Sequence, residues 1–171
     1  MTEYKRPVSV LVVIYTSSGQ ATSPSSVQTS DVEVLLLERA DHPGYWQSVT
    51  GSVEAQEELA QTATREVLEE TGIDAAQHEL CDCHIENHYE IYPQWRYRYE
   101  PGVTQNVEHV YTLSLKQKMP ITLSAREHLR YGWWSWQEAA EMVFSPSNRE
   151  AILKLAAGEC RTDGKLRSGN E

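Results

Sequence analysis

Between Gly51 and Ile73 the chain reads GSVEAQEELAQTATREVLEETGI, and no other stretch constrains the fold as tightly. On a helix beginning near Glu58, at about 100° per residue, Glu66 and Glu70 fall one turn apart with Glu69 beside them. Three carboxylates then share one face. Ala60, Ala63 and Val67 form an adjoining stripe, so the helix is expected to pack on a sheet and hold its acids at the edge of a cleft. Gly72 stands where a left-handed C-terminal cap is needed, with Ile73 placed to touch Leu68 as in a Schellman motif. The start is less sharply marked. Gln56 and Glu57 are indifferent caps, although Glu57 and Glu58 suit the positive end of the helix dipole.

Acids at i, i+3 and i+4 repel by a few tenths of a kcal/mol per pair. Arg65 reaches Glu69 at i+4 and offsets part of this, leaving Glu66 and Glu70 as paired oxygen donors. Such donors on one rigid element suit Mg²⁺, which joins a few carboxylates to substrate phosphates. A solvated acidic face is the ordinary meaning of a charge run, but the spacing decides against it. Gly51, Glu57, Arg65-Glu66-Val67, Glu69-Glu70 and Gly72-Ile73 together resemble the Nudix box, with every fixed position present. By residue frequencies alone such a coincidence arises in on the order of one window in 10⁹. The Nudix resemblance implies an α+β fold, an α/β/α sandwich with a mixed central sheet, and hydrolysis of a nucleoside diphosphate linked to another group. It implies further that Glu66, Glu69 and Glu70 serve the divalent metal, while Gly51, Glu57, Arg65 and Gly72 are structural within the box.

At 171 residues the chain suits one domain. That domain is expected over 1–157, with a flexible polar loop at 16–31 (TSSGQATSPSSVQTSD) and a disordered tail at 158–171. No apolar run approaches a membrane span, and MTEYKRPVSV lacks the pattern of a signal peptide, so a cytoplasmic protein is expected. The net charge of −10 argues against a nucleic-acid surface. Three cysteines without a CxxC indicate neither a disulfide framework nor a zinc knuckle. Cys81-Asp82-Cys83-His84 reads instead as alternate residues of a buried strand.

Before the box, Val8 to Tyr15 is a β-branched apolar run, expected as a central strand covered on both faces, with Lys5 at its entrance. Val32 to Arg39 reads as the return strand. Arg39 at its end either grips a phosphate bidentately or is an ordinary exposed arginine. DHPGY is a turn, and Trp46 to Thr50 is a short strand delivering Gly51. After the box come strands at Leu80 to Tyr92, Gln94 to Val103, Glu108 to Leu115 and Tyr131 to Trp134. Two helices follow, Trp136 to Val143 and Ser147 to Ala157, the second capped by Ser147 or Asn148.

Outside the box, YKRPVSVLVVIY, WQSVTGSVE, YRYEPGVTQNVEH, EHLRYGW and SNREAI resemble one branch of the Nudix family, the bacterial dihydroneopterin triphosphate pyrophosphatases of folate biosynthesis. This implies that the chain converts 7,8-dihydroneopterin triphosphate to dihydroneopterin monophosphate and pyrophosphate with Mg²⁺, or Mn²⁺ in its place. It also implies substrate contacts at Lys5, Arg39, Thr50 and Tyr89, Glu90, Ile91 and Tyr92, and metal ligation by Glu66, Glu70 and Glu127. The catalytic set is then Glu66, Glu69, Glu70 and Glu127, with Glu69, Glu70 and Glu127 all open as the general base. Trp46 and Tyr89 are candidates for the slot holding the ring. The alternatives are a Nudix pyrophosphatase acting on dATP or an oxidised nucleotide, and a non-catalytic nucleotide-binding module. Gln56 departs from the Gly common before the first box Glu, so the loop there is expected to take a different path.

Overall fold

The computed structural model describes residues 3–17 and 32–161. The polar loop from residue 18 onward and the tail beyond residue 161 lie outside the described residues. A seven-stranded mixed sheet comprises β1 (Val8–Ser17), β2 (Val32–Arg39), β3 (Trp46–Gln47), β4 (Val49–Ser52), β5 (Glu79–Glu90), β6 (Gln105–Leu115) and β7 (His128–Ser135). Helix α1 (Leu59–Thr71) covers one face, and α2 (Trp136–Met142) and α3 (Pro146–Ala156) cover the other. No helix among the described residues is long and apolar enough to cross a membrane.

The unbroken apolar run of β1 follows from this sandwich. Alternate residues point to opposite faces of a strand. Val10, Val12 and Ile14 meet Ala63, Val67 and Ile73, while Leu11, Val13 and Tyr15 meet Ala139, Ile152 and Leu155. β1 runs parallel to β6 from Val8 opposite Val107 to Thr16 opposite Leu115. Its other edge is divided: β4 pairs with Ser9–Val12 and β2 with Tyr15–Ser17. Thr16 and Ser17, expected in the loop, therefore prolong the strand. β3 stays on β2, opposite Leu37 and Glu38, so the chain steps from one strand to the other at Ser48.

Asn148 holds that step. Its Oδ1 accepts from Ser48 N–H at 2.8 Å and its Nδ2 donates to Ser48 Oγ at 2.9 Å, both buried. The expected cap of α3 moves accordingly: Ser145 is the N-cap and Pro146 opens the helix, where its missing N–H costs nothing. Gln94 to Val103 is not a strand. Pro93 opens a 3₁₀ turn over Pro93–Arg98, and Gly102 turns at φ +93°. In α1, Gly72 caps at φ +78°, its N–H donating to Leu68 O, with Ile73 buried and Leu68 53% exposed. Ala60 is also exposed. The start of α1 is secured by Gln61 Oε1, which accepts from Glu58 N–H at 2.8 Å. Cys83 is joined to Cys160 in a disulfide across 77 residues, a separation with no short motif to announce it. The chain is thus tied to the fold at the third residue of the expected tail.

Candidate active site

The box folds around Arg65. Its Nε donates to Glu57 Oε1 at 2.6 Å, its Nη1 to Glu66 Oε1 at 2.8 Å and Glu69 Oε2 at 3.3 Å, and its Nη2 to the Ser52 carbonyl at 3.0 Å. Glu57 also accepts from Thr62 Oγ1 at 2.6 Å. One guanidinium therefore staples the loop before α1, the helix itself and the end of β4. Gly51 lies directly against Glu66, with no room for a Cβ beside the carboxyl group.

One turn on, Glu70 is buried at the edge of the cleft. Oε2 accepts from Thr50 N–H at 3.2 Å, and Oε1 lies 2.7 Å from His128 Nε2. With the carboxylate ionised, the Nε2–H tautomer of His128 donates, which orients the acid. Burial lowers the pKa of His128 and so favours the neutral ring. Burial, then the charge of Glu127, raises the pKa of Glu70 well above the carboxylate range. Burial and the charge of Glu70 push Glu66 up to about 8 against the opposing pull of Arg65.

Glu127 arrives on the loop before β7. Ala40 N–H donates to its carbonyl at 2.9 Å, so the end of β2 positions it. Ligand atoms of Glu70, Glu127 and His128 lie within 4.8 Å of one another. Glu66, expected as the third ligand, adjoins this group with its Oε1 taken by Arg65. Glu69 is half exposed and faces Arg65. The donor set suits a hard divalent cation: two carboxylates from separate elements converge, and Glu70 pairs with no Lys or Arg among the described residues.

A cleft of about 770 Å³ opens from these acids. Lys5, Arg39 and Thr50 line it, as do Tyr89, Glu90, Ile91 and Tyr92 on the far wall. Lys5 is exposed as a whole, but its ammonium end sits among protein atoms; that burial, then the Arg98 charge, lowers its pKa. Arg39 stacks 4.5 Å over the Trp95 ring. Three of its N–H hydrogens are spent, two on Asp41 and one on Gln47, which leaves two of a guanidinium's five for a ligand. Asp41 also accepts from Arg98 at 3.0 Å, and the hydrogen bond from Arg39 first, with the Arg98 charge, holds its pKa down to about 2. Trp46 is not in the cleft lining; it packs edge-on against Trp134, 4.9 Å between ring centres. His128, Asp41 and Trp95 escaped the sequence reading. Only the position of His128 next to Glu127 marked any of them.

Fold, box and cleft together define a Nudix hydrolase. The NUDIX domain model matches residues 5–155, and the chain belongs to that family. It is 45% identical over 151 residues to dihydroneopterin triphosphate diphosphatase of Escherichia coli (strain K12), covering 87% of this chain and 91% of that protein. The dihydroneopterin triphosphate diphosphatase of Haemophilus influenzae is 39% identical over 156 residues, 90% of each chain. The solved E. coli dihydroneopterin triphosphate pyrophosphohydrolase superposes with a TM-score of 0.77 at 43% identity, covering 91% of this chain and 98% of that one.

Proposed function

We propose that this chain is a cytoplasmic enzyme of folate biosynthesis that hydrolyses 7,8-dihydroneopterin triphosphate to dihydroneopterin monophosphate and pyrophosphate. The observation that carries this reading is its 45% identity to an enzyme of that name over 87% of the chain. Water adds across the α–β phosphoanhydride: one P–O bond forms as the bridging P–O bond breaks, and pyrophosphate leaves. Glu66, Glu70 and Glu127 would hold Mg²⁺, or Mn²⁺ in its place. When bound, the cation supplies positive charge to the phosphate oxygens and favours deprotonation of water. His128 and Thr50 keep Glu70 aimed into the cleft. Glu69, Glu70 and Glu127 are the candidates to take the water's proton, and Glu127 alone of them has no hydrogen bond to its carboxylate among the described residues. Lys5 and the two remaining hydrogens of Arg39 meet phosphate oxygens, and the wall from Tyr89 to Tyr92 flanks the ring.

With Mg²⁺ present, kcat/KM measured by pyrophosphate release is expected to favour dihydroneopterin triphosphate over dATP by roughly tenfold or more. A preference for dATP would move the chain among the nucleoside triphosphate pyrophosphatases. Lys5→Ala is expected to raise KM roughly tenfold while sparing kcat, because a phosphate contact made equally in ground and transition states is uniform binding. An unchanged KM would return Lys5 to a solvated terminal cation.

A further inference from the structure

The end of the cleft remote from Glu70 carries a buried acid that none of this chemistry uses. On the sheet face toward α3, Leu11 and Val13 on β1 and Val110 on β6 are apolar. Toward the cleft the same rows turn polar, with Ser9 on β1 and Asn106 and Glu108 on β6, all buried. Glu108 is only 4% exposed, yet it lines the cleft. Its Oε1 accepts from Ser147 Oγ at 2.7 Å and from Asn87 Nδ2 at 3.5 Å, both neutral donors. Both bonds go to Oε1, and among the described residues none reaches Oε2. Burial raises the pKa of this acid against the pull of those two donors.

A carboxylate placed here is a poor structural choice. Burying it without a charged partner is costly, and Val110, the next residue on the same face of β6, shows that an apolar side chain fits there. A ligand bringing two adjacent N–H donors would offset that cost. The rings of Tyr89, Tyr92, Trp95 and Phe144 line the same cleft, which suits a flat heterocycle. The spacing also fits. Glu108 stands opposite Ser9 on β1, and Thr50, which donates to Glu70, stands opposite Leu11. Two strand steps and two residues separate the Cα atoms of Glu108 and Thr50 by about 12 Å. A bicyclic ring with a three-carbon side chain spans such a gap and leaves its phosphates at Glu70.

We propose that Glu108 determines specificity in this cleft: its carboxylate receives the 2-amino group and the adjacent ring N–H of a 2-amino-4-oxo pteridine, and Ser147 and Asn87 hold it in place. This rests on the reading of the cleft as a dihydroneopterin triphosphate site. The test compares kcat/KM for that substrate with kcat/KM for its 2-oxo counterpart, in which the donor becomes an acceptor. The unaltered protein is expected to favour the 2-amino compound by roughly 10², and Glu108→Gln to bring the ratio near one, mostly through KM. The first comparison needs no variant, so it stands whether or not Glu108→Gln folds; a thermal scan checks that it does. Equal rates on the two pteridines with unaltered protein, or a ratio retained in a folded Glu108→Gln, overturn the assignment of Glu108. A preference for dATP in the unaltered protein instead overturns the substrate reading itself.

Discussion

Glu70→Gln is expected to lower kcat by roughly 10² or more without lowering thermal stability. The two halves of this expectation have one origin. Glu70 is 3% exposed, and its oxygens face Thr50 N–H and His128 Nε2. Gln preserves the shape and one acceptor but removes the charge. For the fold that is no loss, because a buried carboxylate held only by neutral partners costs desolvation that an amide avoids. For the chemistry it removes an anionic oxygen donor from the group formed with Glu127 and His128. Direct titration of Mn²⁺ should show affinity weakened by roughly 10- to 100-fold, a readout separate from turnover. A variant that keeps its kcat, or that unfolds well below the parent temperature, would show that Glu70 is a structural acid.

The parts of this site that could be read from the chain share a property: they are local. The carboxylate face of α1, its glycine cap and the arginine at i+4 all follow from periodicity within 23 residues, because a helix fixes which side chains are neighbours. β1 was readable for the same reason, since a strand buried on both faces has to be apolar throughout. What was hidden depends on contacts between distant residues. Nothing near Asp41 shows that it will clamp both Arg39 and Arg98. Nothing near His128 shows that β7 will set its ring on Glu70, 58 residues away. Glu127 entered only through resemblance to known enzymes, and its geometry depends on a backbone bond to Ala40 at the end of β2. Tertiary context also overrode alternation. QWRYRY has the pattern of a strand, but Pro93 starts a 3₁₀ turn that sets Trp95 beneath Arg39.

Gly51→Ala, a change of one methyl group, is expected to cost about 2–3 kcal/mol, on the order of 6–10 °C in Tm, and to lower kcat/KM by roughly 10². The new Cβ would collide with the Glu66 carboxyl group, and each partner is held from behind. Gly51 sits in β4 opposite Val10, within a ladder running from Ser9–Ser52 to Val12–Val49, so the strand cannot back away without losing its pairing with β1. Glu66 cannot swing aside freely, because Arg65 binds its Oε1 while also binding Glu57 and the Ser52 carbonyl. The remaining response is for α1 to shift off the sheet, which opens the packing of Ala63 and Val67 on Val10 and Val12. That shift carries Glu70 away from Thr50 N–H, so stability and turnover fall together, unlike Glu70→Gln, where turnover alone falls. Calorimetry and steady-state kinetics on the two variants separate the cases. A Gly51→Ala protein with parental Tm and kcat/KM would mean that Glu66 yields easily, and that the close approach of β4 to α1 does not set the position of the acids.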